Sequence, residues 1–189
     1  MTILNYIYQY DLRMLIWCGK SRTHYQFMRC VRLISHSGDG YCQLLLPTLL
    51  WFCLDEEGEK FCWLAINAFI VERALYLLLK NTLKRRRPSD IVPYFTSVVV
   101  PSDRFSFPSG HTMAAFLLAS LCYFHFGDAA LPLFIWASAV GASRVLLGVH
   151  FPTDILVGGM IGILIADFTL AVIDVRETVF LAEVFPINS

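Results

Sequence analysis

Residues 143–154 read SRVLLGVHFPTD and lie between two long apolar runs. Within this stretch, Arg144 can place two N–H donors on one phosphate, and His150 can act as a nucleophile or as a base. Asp154 can accept a hydrogen bond from the second ring nitrogen of His150 and so fix its tautomer. Pro152 suits the first turn of a helix. We therefore expect His150 just before a helix N-terminus, where the helix dipole favours an anion.

Two upstream segments carry further groups that suit phosphate. Lys80 is followed, after six intervening residues, by the pair Arg87-Pro88, and residues 108–111 read PSGH. Phosphoryl transfer needs positive charge around the equatorial oxygens, which the lysine and arginine of the first segment can supply. Ser109 precedes backbone N–H groups that would open a helix and add donors. The histidine of PSGH and the one described above are then available for two proton-transfer roles.

The three motifs, in chain order K-x6-RP, PSGH and SR-x5-H-x3-D, together resemble the type-2 phosphatidic acid phosphatase superfamily, which also includes the vanadium haloperoxidases. Every signature position is matched, and the resemblance covers residues 80–154 with the helices that carry them. It implies that His150 attacks phosphorus to form a phosphohistidine, that Asp154 orients His150, and that His111 protonates the leaving alkoxide. Water would then hydrolyse the intermediate, with His111 as base.

The same resemblance implies that five residues bind the phosphate: Lys80, Arg87, Ser109, Gly110 and Arg144. No metal or other cofactor is then required, because the cationic side chains neutralise the charge on phosphorus. Arg104, four residues before Pro108, is a further candidate for contact with the substrate headgroup. The six cysteines include no C-x-x-C pair and no spacing typical of metal ligands, which fits a site without a metal.

Composition predicts a membrane protein of one domain. Of the 189 residues, 57% are hydrophobic and 16% are charged, whereas soluble domains carry about 25% charged residues. The formal net charge is zero, so composition gives no support for a nucleic-acid partner. We expect an all-α, polytopic membrane helix bundle in which residues 1–189 form a single lipid phosphatase domain.

Five apolar runs are candidate membrane spans, at 41–54, 61–79, 111–126, 129–147 and 153–173. The first run is shorter than the ~20 residues that a span needs. With five spans, the 80–110 loop and the 148–152 turn fall on the same side of the membrane, so all three motifs meet at one face. We expect residues 37–173 to form the catalytic bundle and residues 174–189 to form a tail.

Charged residues near the spans also allow predictions. Residues 1–36 are expected to form an interfacial helix and a basic juxtamembrane segment, with charges such as Asp11 facing water. The alternative is that residues 3–17 form a poor first span. The acidic run at residues 55–60 is expected to be a loop between two spans. The basic residues Lys84, Arg85 and Arg86 are interpreted as headgroup contacts or topology determinants.

Two kinds of polar residue lie outside the motifs. Arg73 and Asp167 are charged positions inside apolar runs, and such residues usually face the bundle interior and are paired. We expect Arg73 to form a network beneath the site with Asp167, or with the assistance of Glu72. No partner pattern is visible for the three remaining histidines, which are interpreted as incidental: His24, His36 and His125.

The sequence favours an integral-membrane phosphatase whose site opens at the bilayer face, so that the phosphate enters while the hydrocarbon chain stays in lipid. Substrates implied by the resemblance are phosphatidate, phosphatidylglycerophosphate, undecaprenyl diphosphate and lipid A phosphates. One alternative is a lipid phosphotransferase, in which an acceptor hydroxyl captures the phosphohistidine. A vanadium haloperoxidase is disfavoured by the apolar spans, and a non-catalytic membrane protein with a vestigial site by the intact motifs.

The resemblance implies a bacterial inner-membrane protein with its site on the periplasmic side. The positive-inside rule gives the cytoplasmic side, because basic residues of the 20–32 and 84–87 segments lie on the active face. Some of these basic residues belong to the site itself and would lie there whatever the topology. The sequence therefore leaves open which side of the membrane carries the site. It also leaves the oligomeric state open.

Overall fold

The computed structural model describes residues 3–19, 24–93, 95–101 and 103–184, which fold into helices joined by short turns and one long loop. The expected basic residues Lys20 and Arg22, and the last five residues of the expected tail, lie outside this part of the chain. The helices are α1 (Ile3–Gly19), α2 (Tyr25–Ser37), α3 (Tyr41–Cys53), α4 (Asp55–Leu83), α5 (Pro88–Ile91), α6 (Gly110–Phe126), α7 (Leu131–Leu146) and α8 (Pro152–Val184), with a 3-10 turn at Gly127–Ala130.

The all-α membrane bundle is confirmed, although the spans divide differently from the expected five. Three described stretches are long and apolar enough to cross a membrane, namely Asp55–Ile91, Gly110–Leu146 and Pro152–Ile173, and Tyr41–Cys53 is a shorter apolar helix. The second stretch holds both α6 and α7, which pack against each other on either side of the 3-10 turn. These two helices have 17 and 16 residues, fewer than the ~20 that a span needs.

The acidic run at 55–60 is not a loop, as the sequence analysis expected, but the first turns of α4. Asp55, Glu56 and Glu57 occupy the first turn of this helix. Carboxylates at that position are favoured by the positive end of the helix dipole and by the free N–H groups. Helix α4 therefore extends for 29 residues and carries Lys80 on its last turn.

Small residues bring α8 against α6 and so position the middle motif. A Cβ atom on Gly162 would lie 2.3 Å from the carbonyl oxygen of Met113, and one on Gly158 would lie 2.8 Å from that of Ser109. Such close backbone approach is typical of small residues spaced four apart in membrane helices. The start of α6 is thereby held beside the start of α8.

Helix α1 is present as expected, but it packs on the ends of α7 and α8, and its acidic residue does not face water. Asp11 and Leu15 are fully buried, whereas Tyr6 and Trp17 on the opposite side are 74% and 66% exposed. The prediction for Asp11 is wrong because this carboxylate binds groups at the start of α8, as described below. The N-terminal helix is thus attached to the end of the bundle where the motifs meet.

Candidate active site

One cavity of about 1460 Å³ gathers most of the residues predicted from the motifs. It lies between α2, α3, α4 and the adjoining ends of α6 and α7. Its wall includes six of the predicted site residues: Lys80, Arg87, Gly110, His111, Arg144 and His150. The chain reverses between α4 and α6 and again between α6 and α7. These groups therefore come together, because α6 begins and α7 ends at the same side of the bundle.

His150 is buried on this wall and its two ring nitrogens have different surroundings. Nδ1 lies 3.5 Å from Oδ2 of Asp154, so Nε2 is on the side of the ring away from that carboxylate. Burial lowers the pKa of His150 to about 4, and the nearby Arg87 and Arg144 act in the same direction. The ring is therefore neutral at pH 7, the state in which a ring nitrogen has a lone pair for attack.

Asp154 is held by groups from three separate segments. Its Oδ1 accepts a hydrogen bond of 2.7 Å from Arg85, and its Oδ2 accepts from the N–H of Phe151 at 2.8 Å and from the Ser106 hydroxyl. The carboxylate is fully buried. Its orientation toward His150 is therefore determined by the surrounding donors as well as by its place on α8.

Arg85 joins Asp154 to helix α1 and to the start of α8. The interpretation of Arg85 as a headgroup contact or topology determinant did not include this role. Besides Asp154, Arg85 donates to Oδ2 of Asp11 at 2.6 Å and to the Thr153 hydroxyl at 2.7 Å, and its guanidinium lies 4.2 Å from the Phe151 ring centroid. Asp11 also accepts from the backbone N–H of Thr153 at 3.1 Å. No spacing in the sequence relates residue 11 to residue 85, so no pattern could have indicated this contact.

Two of the predicted phosphate-binding cations share one carboxylate. Asp103 accepts hydrogen bonds from Lys80 at 2.8 Å, from Arg87 at 2.6 Å and from the Tyr76 hydroxyl at 2.6 Å. Burial alone would raise its pKa, but the hydrogen bonds from Lys80 and Tyr76 prevail and lower the pKa of Asp103 to about 2. Arg87 also donates to the carbonyl of Val149 at 2.6 Å, next to the histidine on the cavity wall.

Arg144 has more free donors than the other two cations. It is 7% exposed and donates from one terminal nitrogen to the Ser35 hydroxyl at 2.6 Å. Its buried Nε has no hydrogen-bond partner among the residues that the structure describes. An unpartnered guanidinium N–H in a buried wall is suited to an anionic ligand.

His111 has a carboxylate partner that was not predicted. Its Nε2 lies 2.6 Å from Oδ1 of Asp39, and Oδ2 of the same residue lies 2.5 Å from Nδ1 of His36. Burial opposes ionisation, but the hydrogen bonds from the two histidines lower the pKa of Asp39. The interpretation of His36 as incidental is wrong, because it belongs to a His36–Asp39–His111 chain. The only sequence signal was the three-residue spacing of the first pair at the end of α2.

The remaining predicted residues lie around the cavity or away from it. Ser109 is fully buried with its hydroxyl 2.9 Å from that of Thr112, so its contact with phosphate stays a prediction. A Cβ on Gly110 would lie 2.7 Å from the Tyr76 ring, which explains why glycine stands there. Arg104 lies on a second, smaller cavity with Lys84, Arg86, Asp90 and Phe105, and its headgroup contact stays a prediction too.

The network expected beneath the site does not form. Asp167 is exposed on α8, and neither it nor Arg73 takes part in an ion pair among the described residues. Arg73 instead lies 5.0 Å from the centroid of the Tyr76 ring. Glu72 is buried, but the next residue on a helix points about 100° away, which separates the two side chains.

Comparison with known sequences decides the family. The profile of the PAP2 superfamily matches residues 61–177, which include all three motifs. This chain belongs to the PAP2 superfamily. The membership accounts for the placement of the three motifs on one wall of one cavity.

Several PAP2 relatives are similar over part of their length. Phosphatidylglycerophosphatase B of Bacillus subtilis is 37% identical over 140 residues, covering 67% of this chain and 66% of the relative. Decaprenylphosphoryl-5-phosphoribose phosphatase of Mycolicibacterium smegmatis is 35% identical over 135 residues, covering 67% and 68%. The bacitracin transport permease protein BcrC of Bacillus licheniformis is 30% identical over 118 residues, covering 62% and 58%. The chain thus spans about three-fifths to two-thirds of the length of these relatives.

Two crystal structures share the fold. LpxE of Aquifex aeolicus matches with a TM-score of 0.71 and 27% identity, over 85% of this chain and 94% of that one. The PAP2-type phosphatidylglycerolphosphate phosphatase of Bacillus subtilis matches with a TM-score of 0.70 and 24% identity, over 97% and 90%. The second comparison supports the fold alone.

Proposed function

We propose that this chain is an integral-membrane, metal-independent phosphatase that hydrolyses a lipid phosphate monoester or diphosphate through a phosphohistidine at His150. The observation that carries the proposal is the neutral, buried imidazole of His150 on the cavity wall that also holds Lys80, Arg87 and Arg144. Family membership and the names of the relatives support the reaction class. The proposal treats residues 1–189 as one catalytic domain.

The first step forms the covalent intermediate. Nε2 of His150 attacks phosphorus, and the phosphorus–oxygen bond breaks to the lipid alcohol of a monoester or to the lipid monophosphate of a diphosphate. His111 gives its proton to the leaving oxygen. Asp154 accepts a hydrogen bond from Nδ1 of His150 and stabilises the positive charge on the ring. The 3.5 Å separation between Nδ1 of His150 and Oδ2 of Asp154 shortens as the ring becomes charged.

The second step releases phosphate. His111, now without its proton, takes one from a water molecule that attacks phosphorus, and the bond to His150 breaks. The three cations stabilise the charge on the equatorial oxygens in both steps, and loss of one such donor costs about 10²–10³ in kcat. Substrate oxygens compete with Asp103 for Lys80 and Arg87, since that carboxylate contacts both cations.

The setting of the site supports a lipid substrate. The cavity continues from His150 between the apolar helices α3 and α4, so a hydrocarbon chain can remain within the bilayer while its phosphate reaches the cations. We propose the bacterial inner membrane as the location, with the site on the periplasmic side. Phosphatidate, phosphatidylglycerophosphate, undecaprenyl diphosphate and lipid A phosphates are the substrates to be tested.

The test is inorganic phosphate release by the detergent-purified protein from these four lipid phosphates in the presence of a chelator. The wild-type chain and His24→Ala, which changes an exposed histidine, are expected to release phosphate, whereas His150→Ala is not. Loss of release on chelation would contradict the metal-independent reaction. An added acceptor alcohol that takes up the phosphate in place of water would favour the phosphotransferase, which uses the same intermediate.

A further inference from the structure

The cavity wall also carries two polar side chains that the proposed mechanism does not use. Gln43 on α3 and Glu72 on α4 both line the cavity, at 7% and 1% exposure. Both amide atoms of Gln43, and Oε1 of Glu72, are buried without a hydrogen-bond partner among the described residues. Buried polar groups in proteins are almost always hydrogen-bonded, and those inside a membrane are usually functional. Two unpartnered groups on one wall therefore indicate a ligand that supplies the missing partners.

The positions of these residues tell which part of a substrate they would meet. Glu72, Tyr76 and Lys80 are spaced four apart on α4 and share one face. Glu72 lies eight residues before Lys80, about 12 Å along the helix at 1.5 Å per residue. Gln43 is the third residue of α3, and this helix starts just after Asp39, the partner of His111. Glu72 thus lies away from the phosphate-binding end of the cavity, and Gln43 lines the same cavity from the start of α3, so both can meet the leaving alcohol.

We infer that Gln43 and Glu72 form a subsite for a leaving alcohol that carries hydroxyl or amide groups between its phosphate and its hydrocarbon chain. The carboxyl group of Glu72 accepts from hydroxyl or amide N–H groups, and the amide of Gln43 both donates and accepts. The inference rests on the proposed function. It makes glycerol- or sugar-linked lipid phosphates the preferred substrate class.

The same geometry disfavours a polyprenyl diphosphate. Such a substrate presents only hydrocarbon beyond its phosphates, so it would cover Gln43 and Glu72 without satisfying them. Buried polar groups left unpaired reject a ligand that lacks the matching group more strongly than an apolar wall does. The subsite thus discriminates between glycerol- or sugar-linked lipid phosphates and polyprenyl diphosphates, which the phosphate-binding end alone would bind equally.

The experiment compares kcat/KM for three lipids in detergent: phosphatidylglycerophosphate for a glycerol linker, a lipid A phosphate for a sugar linker, and undecaprenyl diphosphate for no linker. Glu72→Leu and Gln43→Leu are each measured beside the wild type. The matched control is Asn67→Leu, which removes an exposed amide from the same helix as Glu72 and away from the cavity.

We expect the wild type to prefer one of the linker-bearing lipids, and each subsite variant to lose at least tenfold more activity on that lipid than on undecaprenyl diphosphate. The lipid on which the subsite variants lose more kcat/KM, phosphatidylglycerophosphate or the lipid A phosphate, identifies whether the subsite binds a glycerol or a sugar linker. Equal losses on all substrates, or losses no greater than in Asn67→Leu, would overturn the subsite while leaving the phosphatase in place. A folded wild-type protein that releases phosphate from none of the lipids would overturn the proposed function and the subsite with it.

If Glu72→Leu does not yield folded protein, Gln43→Leu alone carries the same prediction. A second measurement, inhibition of p-nitrophenyl phosphate hydrolysis by the dephosphorylated lipid, then keeps the subsite testable without turnover of the lipid phosphates. Phosphatidylglycerol, the product of phosphatidylglycerophosphate hydrolysis, should inhibit the wild type more strongly than undecaprenol does, and Gln43→Leu should abolish the difference. Equal inhibition by both alcohols in the wild type would count against the subsite.

Discussion

Arg85 is predicted to be as important to the fold as a core residue, although it lies in a run of basic residues that resembles an ordinary membrane-flanking cluster. Its guanidinium joins two fully buried carboxylates, Asp11 on α1 and Asp154 on α8. Arg85→Met would leave both carboxylates buried without their cation. Removing one partner of a buried ion pair costs about 3–5 kcal/mol.

The lower end of that range applies, because the Arg85 side chain is 24% exposed and water can reach part of it. A loss of about 3 kcal/mol corresponds to a fall in Tm of about 6–12 °C for a chain of this size. Arg86→Met is the matched control, since Arg86 is exposed, and such surface changes stay within about 0.5 kcal/mol.

The assay is thermal unfolding of the detergent-purified variants, followed by circular dichroism at one fixed scan rate, because unfolding of such a protein need not be reversible. In the Asp11→Asn background, Arg85→Met is expected to cost less than in the wild type, since one of the two carboxylates is then uncharged. Equal Tm values for Arg85→Met and Arg86→Met would show that the contacts of Arg85 with the two carboxylates do not stabilise the fold. Phosphatase activity should fall with Arg85→Met even below its Tm, because Asp154 loses a donor.

Three further predictions follow from the contacts. Gly162→Ala should lower Tm, because its Cβ would lie 2.3 Å from a backbone oxygen of α6, whereas Gly19→Ala, with nothing within 4 Å, should not. His150 should stay neutral from pH 8 to about pH 5 in NMR titration, because burial lowers its pKa to about 4. The free energy of unfolding should then fall as the pH drops below about 6.5, because His150 takes up a proton in the unfolded chain but not in the folded protein. A titration midpoint near 6.5 would contradict this burial. Asp39→Asn should slow hydrolysis of lipid phosphates about tenfold or more through His111, yet barely change the initial burst of p-nitrophenol from p-nitrophenyl phosphate, whose leaving group needs no proton in the first step; equal slowing of both would indicate a structural role.

The motifs predicted much of the site because their residues lie at the ends and starts of helices. Lys80 lies on the last turn of α4, and the residue at 110 begins α6. Arg144 lies on the last turn of α7, and Pro152 begins α8 as expected. A bundle whose chain reverses between these helices must bring such ends together. The expected co-location of the motifs therefore required only the correct order of apolar runs.

The residues that the sequence analysis missed contact the site across long sequence separations. Asp11, Asp39 and Asp103 each hold a motif residue or its neighbour, yet none stands at a fixed spacing from it. The composition of a loop or an interfacial helix makes an acidic residue look solvated, and only packing reveals that it is buried. The failed Arg73–Asp167 pairing has the same origin, because a charge within an apolar run was expected to face inward and Asp167 faces out.

The proposed phosphohistidine at His150 is tested most directly by identifying the residue that carries phosphate during turnover. The wild-type protein is mixed with its preferred lipid phosphate and quenched in alkali within one turnover, a condition in which phosphohistidine survives, and its peptides are analysed by mass spectrometry. We predict phosphate on His150 in the wild type and none in His150→Ala. In His111→Ala the phosphohistidine should accumulate when p-nitrophenyl phosphate is the substrate, because its leaving group needs no acid while the base for the second step is missing. Turnover of the lipid without phosphate on any residue, or with phosphate on His111, would contradict the phosphohistidine at His150.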